Sequence, residues 1–120
     1  MVRQKAQGIS HELTDQSIQD TLSWILAAST PDRVYVFGSA ARHQLTEDSD
    51  LDFAIVFANE SELNIQQKAI SQRRRPDMWP RDLLFFTAEE FDRKSQVGGV
   101  CMIIVEDGRL VFEGHKRIQA

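Results

Sequence analysis

The sequence has little of several features that would place it in a common protein class. It contains one cysteine and three prolines in 120 residues. A single cysteine excludes a disulfide framework and a cysteine-based zinc site, and it fits a reducing cytosol, so we expect a cytoplasmic protein. No apolar run approaches the roughly 18 residues that a membrane-spanning helix needs. Residues 1–20 also lack the apolar stretch of a signal peptide, so we expect no secretion.

Positive charge is scarce as well. Lys and Arg number 14 against 18 Asp and Glu, which gives a formal charge of −4. Nucleic-acid-binding proteins usually show the opposite balance, so stand-alone nucleic-acid binding is the weakest hypothesis. What the chain does have is a 42% hydrophobic content, enough for one modest core at this length. We therefore expect a single domain over residues 1–120, with residues 1–13 as a loose lead-in.

Local patterns predict alternating helices and strands. Thr14 and Asp15 are good N-caps before apolar residues at helical spacing. Thr87 and Glu90 fit a capping box that starts a helix at Ala88, flanked by a Phe86–Phe91 hydrophobic staple. β-branched and aromatic runs bounded by Gly or Pro are typical of strands. The predicted helices are 15–29, 61–74 and one from Ala88, and the predicted strands are 34–37, 51–57 and 82–86.

The end of the chain allows two interpretations. Residues 100–105, the Asp107-Gly108 pair and residues 110–112 read by propensity as a β-hairpin. The same residues also fit a helix that ends near Gly108 and is followed by a short strand. Residue propensities alone favour the hairpin.

Asp50 and Asp52 carry the most chemical information. Aspartate is disfavoured inside strands, yet both residues occupy alternate positions at the entrance of the predicted strand 51–57. Period-2 geometry places their side chains on one face, roughly 7 Å apart along the strand. Such carboxylates can converge on one cation, or on two cations about 3.5–4 Å apart. The simpler interpretation is that both face water at the end of a strand.

Gly38 and Ser39 form a second candidate element. A glycine at a strand end lets the backbone approach a ligand closely, and Ser39 is suited to cap a short helix whose first N–H groups could bind phosphate. Only 11 residues separate Gly38 from Asp50. If the two strands are antiparallel neighbours, the turn and the carboxylates share one edge of the sheet. A third strand returning through a right-handed crossover would bring Asp82 beside them.

These residues resemble a known family. Val36-Phe37-Gly38-Ser39, a ten-residue spacer and Asp50-Leu51-Asp52-Phe53 are similar to the signature of the DNA polymerase β-like nucleotidyltransferases. Ala41-Arg42 and Asp48-Ser49-Asp50 look like the small branch called minimal nucleotidyltransferases. The resemblance implies an α/β fold, a small mixed sheet flanked by helices, and it favours the helical interpretation of the end of the chain. The sequence departs from the branch at Ala40, often arginine there, and at His43, usually glycine; both positions lie in the phosphate-binding turn.

The resemblance also implies an activity and its site. Asp50, Asp52 and Asp82 would bind two Mg²⁺ ions, Gly38 and Ser39 would hold a nucleoside triphosphate, and Arg42 would pair with a phosphate oxygen. The implied reaction transfers a nucleoside monophosphate, AMP from ATP, to a hydroxyl acceptor on a protein or another molecule. The branch further implies a HEPN-type helical partner, often a toxin, to which the chain would act as antitoxin, or a homo-oligomer. The alternative is a catalytically silent subunit that only binds such a partner.

Several other residues have simpler interpretations. His43 is expected in an exposed loop, and Asp77 competes with Asp82 for the third carboxylate position but precedes a predicted turn. Cys101 and Met102 are expected to fill the core. Residues 73–75, three arginines, are most simply the charged C-terminal end of a helix.

Overall fold

The computed structural model describes residues 7–114 and 116–118 as one α/β unit. Its helices and strands alternate along most of the chain, and a single sheet runs through the middle of the fold. The helices are α1 (His11–Leu26), α2 (Gly38–Ala41), α3 (Glu60–Ser71), α4 (Ala88–Ser95) and α5 (Val100–Asp107). The strands are β1 (Arg33–Phe37), β2 (Leu51–Phe57), β3 (Arg81–Thr87), β4 (Arg109–Glu113) and β5 (Lys116–Arg117).

The sheet is mixed, with strand order β3-β2-β1-β4-β5. β1 pairs antiparallel with both β2 and β4, and β4 pairs antiparallel with β5. β2 and β3 are parallel, and α3 makes the crossover between them. The expected small mixed sheet flanked by helices is confirmed.

β2 is the strand around which both halves of the core assemble. Its odd-numbered side chains, such as Phe53 and Ile55, are fully buried against residues of α1 and α3. Its even-numbered residues Ala54 and Val56 are equally buried, in a cluster with side chains of α4 and α5. Period-2 alternation therefore sends one face of the strand to each helix layer. Asp52 lies on the α4–α5 face, at the end of this buried strand.

α1 begins four residues earlier than the sequence predicts. Ser10 is the N-cap, and its hydroxyl accepts a hydrogen bond from the Leu13 amide at 3.2 Å. Thr14 is buried inside the first turn, where its hydroxyl donates to the Ser10 carbonyl at 2.8 Å. The loose lead-in over 1–13 is therefore wrong for its last three residues, and residues 1–6 lie outside the described part. The helix ends at Leu26, before the predicted residue 29.

α3 is also displaced from its predicted bounds. Asn59 caps it by accepting from the Glu62 amide at 2.9 Å, and the helix ends at Ser71. The three arginines therefore follow the helix instead of ending it. The Arg73 guanidinium lies 5.8 Å from the centre of the Trp24 ring, and the Trp24 indole donates to the Arg74 carbonyl at 2.9 Å. These contacts fasten the segment to α1.

Of the two interpretations of the end of the chain, the structure shows the helical one. Residues 100–107 form α5, and β4 follows, so the hairpin favoured by propensity is wrong. Cys101 and Ile104 lie three residues apart, and both are buried in the α4–α5 cluster, a spacing that suits a helix and not a strand. The start of α4 is as predicted, with the Thr87 hydroxyl accepting from the Glu90 amide at 3.2 Å.

None of the helices in the described residues has both the length and the apolar character needed to span a bilayer.

Candidate active site

Three strands each have one terminus at the same edge of the sheet. β1 arrives at this edge, while β2 and β3 both start from it. In the strand register, Phe37 pairs with Asp52 and Asp52 pairs with Asp82. Neighbouring strands are about 4.8 Å apart, so the two aspartates lie side by side. The sequence prediction that residue 82 arrives beside residue 52 agrees with this register, and Asp50 precedes β2 at the same edge.

The Asp52 carboxyl group is in an unfavourable place for a negative charge. It is half-buried, and burial raises its pKa from 3.8 to about 6, with further upward contributions from the charges of Asp82 and Asp50. The Arg42 guanidinium acts in the opposite direction. Burial and like charges both disfavour the anion, so a bound cation would relieve the site.

Gly38 is held against this carboxylate. Its φ of +69° is in the left-handed region, and a Cβ atom built on it would overlap Asp52 Oδ2. Glycine is therefore required on two counts, backbone conformation and close approach. The prediction that Ser39 caps the short helix is wrong: α2 begins at Gly38 with Phe37 as its N-cap, so Ser39 lies within the first turn. Ala40 is fully buried, which leaves no room for the arginine common in the resembled branch.

The turn after α2 places Arg42 and His43 differently. Arg42 is exposed and donates from Nε to Gln44 at 3.1 Å, and its charge reaches Asp52. His43 has a positive φ of 54° and lies with Nε2 2.9 Å from Asp15 of α1. The expected exposed loop histidine is therefore a half-buried side chain that connects the turn to α1.

Asp77 forms an ion pair with a buried arginine at the start of β3. Its carboxylate accepts from both terminal nitrogens of the buried Arg81 guanidinium, at 2.7 and 3.0 Å. Arg81 Nε also donates to Thr21 at 2.8 Å. Hydrogen bonding to Arg81 is the main reason that the pKa of Asp77 lies below its usual value. Asp77 thus stabilises the loop before β3, and sequence reasoning missed Arg81 because a charged residue was not expected in the core.

Arg109 is a second residue that sequence reasoning missed. It lies on β4, and its guanidinium is 3.4 Å from the Ala40 carbonyl at the end of α2 and 3.7 Å from Asp15. Its Nε atom is buried without a hydrogen-bond partner in the described residues. Arg109 thereby links α2 to α1, and no local pattern in the sequence predicts that long-range contact.

The comparison with known proteins identifies the family. A family model described as nucleotidyltransferase domain matches residues 18–111, a range that runs from α1 to β4 and includes each aspartate of the edge. The chain belongs to this nucleotidyltransferase domain family. A search of the curated proteins gives no match for this nucleotidyltransferase domain.

A solved structure shares the fold of this nucleotidyltransferase domain. It is a crystal structure of "a putative nucleotidyltransferase from Sulfolobus solfataricus", 20% identical in sequence, with a TM-score of 0.57. The alignment covers 94% of this chain and 96% of that one. At this identity the likeness concerns the architecture, which supports the mixed sheet and its order of elements.

The carboxylate oxygens at this edge of the nucleotidyltransferase domain are suitable ligands for a hard cation. Within residues 7–114 and 116–118, no three His, Cys, Asp or Glu side chains are already placed around one point where they could hold a metal ion. The carboxylates of Asp50, Asp52 and Asp82 nevertheless share the edge, and carboxylate oxygens are the ligands that Mg²⁺ prefers. Burial, and after it the negative charges of Asp82 and Asp50, raise the pKa of Asp52. These three residues could hold the metal after side-chain rotation.

Proposed function

We propose that this nucleotidyltransferase domain transfers a nucleoside monophosphate, AMP from ATP, to a hydroxyl acceptor on a protein in a Mg²⁺-dependent reaction. Family membership supports nucleotidyl transfer itself. The observation that best supports the site is the side-by-side register of Asp52 and Asp82 next to the Gly38 turn. Two carboxylates on adjacent strands next to a glycine-led helix start are suited to a metal–triphosphate group.

Each candidate residue has a role in this proposal. Asp50, Asp52 and Asp82 would hold two Mg²⁺ ions, which neutralise the triphosphate and make its α-phosphorus more electrophilic when bound. The backbone N–H groups at Gly38 and Ser39 would donate to phosphate oxygens, because α2 begins there. Arg42 would pair with a phosphate oxygen from the exposed side of the turn.

The chemical step is a substitution at the α-phosphorus. The acceptor oxygen forms a bond to that phosphorus, the bond to the bridging oxygen breaks, and pyrophosphate leaves. Asp82 is exposed at the start of an edge strand, so an acceptor can reach it, and it would help to take up the hydroxyl proton. The remaining contribution of the protein is to position the reactants and to stabilise charge.

Labelled nucleotides test this proposal. Incubation with ATP labelled at the α-phosphate should transfer label to an acceptor in the presence of Mg²⁺, and ATP labelled at the γ-phosphate should not. Asp52→Asn should abolish transfer, whereas Asp48→Asn, in the exposed loop before β2, should leave it intact. The proposal fails if the protein neither binds Mg–ATP nor labels any acceptor.

The acceptor that we propose is a HEPN-type helical protein, with the chain acting as its antitoxin. This proposal rests on the similarity to minimal nucleotidyltransferases. The proposed cytoplasmic location rests on the same similarity and on the single, buried cysteine. A pull-down from the native host followed by mass analysis should find a helical partner that carries an AMP-sized adduct. A partner without the adduct would point to the alternative below.

A second candidate function is that of a catalytically silent subunit that binds the same partner. It is favoured by the absence, among the described residues, of three ligands already gathered for a metal. The buried Ala40 in the phosphate turn also removes an arginine that could have bound nucleotide. The double variant Asp50→Asn/Asp52→Asn discriminates the two functions. It should lose partner neutralisation if transfer is required and retain it if binding is sufficient.

A further inference from the structure

The helix α2 and the turn that follows it are short. α2 contains four residues, and isolated helices of fewer than about 12 residues are marginally stable in water. The Gln44 amide closes the turn by donating to the Ser39 carbonyl at 2.8 Å. Arg42 lies between these two residues, so its position depends on the contacts that other elements make with the turn.

His43 in this turn has a backbone conformation that is uncommon for residues other than glycine. Its φ is +54°, a region in which the Cβ atom of an L-residue crowds the backbone, and the resembled branch usually has glycine here. Such a conformation persists when surrounding contacts fix it. For His43 these contacts come from α1, because Nε2 lies 2.9 Å from Asp15 Oδ1 and the imidazole centre lies 4.5 Å from that of His11.

The same carboxylate oxygen of Asp15 also faces Arg109 of β4. Arg109 Nη2 lies 3.7 Å from Asp15 Oδ1 and 3.4 Å from the Ala40 carbonyl in α2. Asp15 is therefore shared by a side chain that belongs to the turn, His43, and by one that reaches the end of α2. Its negative charge attracts Arg109 directly and fixes the imidazole on the other side.

Backbone contacts make the same connection between the start of α1 and the turn. The Ile9 amide donates to the Leu45 carbonyl at 2.8 Å, and Gly8 forms a β-bridge with Thr46. These two residues and Asp15 precede residue 18, where the match to the family model begins. Family membership therefore does not by itself account for the contacts that hold the turn.

We propose that Asp15 is a positioning residue for nucleotide binding, because it holds His43 and Arg109 on two sides of the turn that carries Arg42. This inference rests on the proposed function, in which Arg42 pairs with a phosphate oxygen. The charge of Arg42 acts on the Asp52 carboxyl group, so the turn directs this arginine towards the edge. A turn that is already ordered loses less conformational entropy when the ligand binds. Asp15 thus contributes to the affinity for Mg–ATP more than to the rate of the chemical step.

Amide hydrogen exchange in the absence of nucleotide tests whether Asp15 holds the turn. In Asp15→Ala the Gln44 amide should exchange about tenfold faster than in the wild-type protein, because local opening of the turn becomes easier. The amides of β2 should keep their protection, which verifies that the variant folds. The matched control is Asp20→Ala, a change at another exposed aspartate of α1 whose carboxylate accepts from Gln16, and it should leave the exchange of Gln44 unchanged.

Titration with Mg–ATP and transfer kinetics test the consequence for binding. Asp15→Ala should raise the Kd and the KM for Mg–ATP about fivefold and change kcat by less than about twofold. Asp15→Asn, which keeps an oxygen that can contact His43 but loses the charge, should give an intermediate increase. His43→Ala should also raise the Kd, and the double variant with Asp15→Ala should raise it by less than the product of the two single increases, because the two residues act through one contact.

Two results would overturn the proposal. One is an unchanged exchange rate of the Gln44 amide in Asp15→Ala. The other is a faster exchange with an unchanged Kd for Mg–ATP, since the order of the turn would then be irrelevant to binding. A wild-type protein that binds no Mg–ATP would instead refute the proposed function, and the exchange measurement without nucleotide would still decide whether Asp15 holds the turn.

Discussion

Asp52 and Asp82 are register partners at the start of two parallel strands, and their proximity contributes to the raised pKa of Asp52. The buried strand that follows fixes the backbone of Asp52 at this edge. Negative charge concentrated in this way favours a bound cation and lowers the stability of the folded protein without the cation.

Removing the charge of Asp52 should stabilise the protein at neutral and alkaline pH. The folded-state pKa of about 6 lies above the usual 3.8, so wild-type stability should fall as pH rises from about 4 through 6. Asp52→Asn should remove this loss and gain roughly 1 kcal/mol at pH 8 after allowance for solvent screening. Chemical denaturation at pH 4 and pH 8 measures it, and Asp48→Asn is the control. A variant that is less stable than wild type at pH 8 would contradict the prediction.

Binding of Mg²⁺ should reverse this loss of stability at neutral and alkaline pH. Mg²⁺ should raise the melting temperature of the wild-type protein at pH 8, and the increase should disappear as pH falls below about 6, where the pKa of Asp52 predicts protonation. Removal of the metal with a chelator should restore the lower melting temperature. The increase should be absent in Asp52→Asn at every pH; an increase that survives there would place the metal elsewhere.

Gly38→Ala should damage the site more than an equivalent change elsewhere. Both Gly38 and Gly114 have positive φ angles, of +69° and +62°, but a Cβ atom at Gly114 meets open space, whereas one at Gly38 overlaps Asp52 Oδ2. Gly114→Ala should cost about 1 kcal/mol from backbone strain alone. Gly38→Ala should cost more and should also lower nucleotide binding. Equal losses of unfolding free energy in the two variants would contradict the close approach.

Asp77 should matter for stability and not for chemistry. Asp77→Ala leaves the buried Arg81 guanidinium without its carboxylate partner and should cost about 2 kcal/mol of unfolding free energy. The pKa of Asp77 is lowered, so its contribution should be present above pH 4 and be lost as pH falls further. Asp20→Ala, at an exposed helix position, should change stability by less than about 0.5 kcal/mol. If Asp77→Ala abolished transfer in a protein that remains folded, Asp77 would belong to the site.

The elements that could be predicted from sequence are those whose signals are local. The bounds of β2 follow from period-2 alternation between residues 51 and 57, and the start of α4 follows from the Thr87 capping box. The meeting of Asp52 with Asp82 needed one further rule, the right-handed crossover between parallel strands. Local signals together with this topological rule therefore predict the register of Asp52 and Asp82.

The errors come from contacts that no local pattern contains. The β-branched residues of α5 have strand propensity, yet the helix forms because Cys101 and Ile104 are buried together against α4, an example of packing that overrides propensity. Arg81 was missed because a charged residue was not expected in the core, and its bond to Thr21 spans 60 residues; Arg109 was missed because its partner Ala40 lies 69 residues away. Long-range polar contacts of this kind require the three-dimensional arrangement.

In β2, the residue proposed to take part in the chemistry is followed directly by residues that stabilise the fold. Asp50 just before the strand and Asp52 near its start carry the carboxylates, while Phe53 to Phe57 are fully buried and hold the two helix layers together. A descendant that lost Asp50 or Asp52 would keep its architecture and gain thermodynamic robustness at neutral pH. If these carboxylates carry the proposed transfer, a copy of this domain without them would still fold, and its shape alone would not show whether it is active.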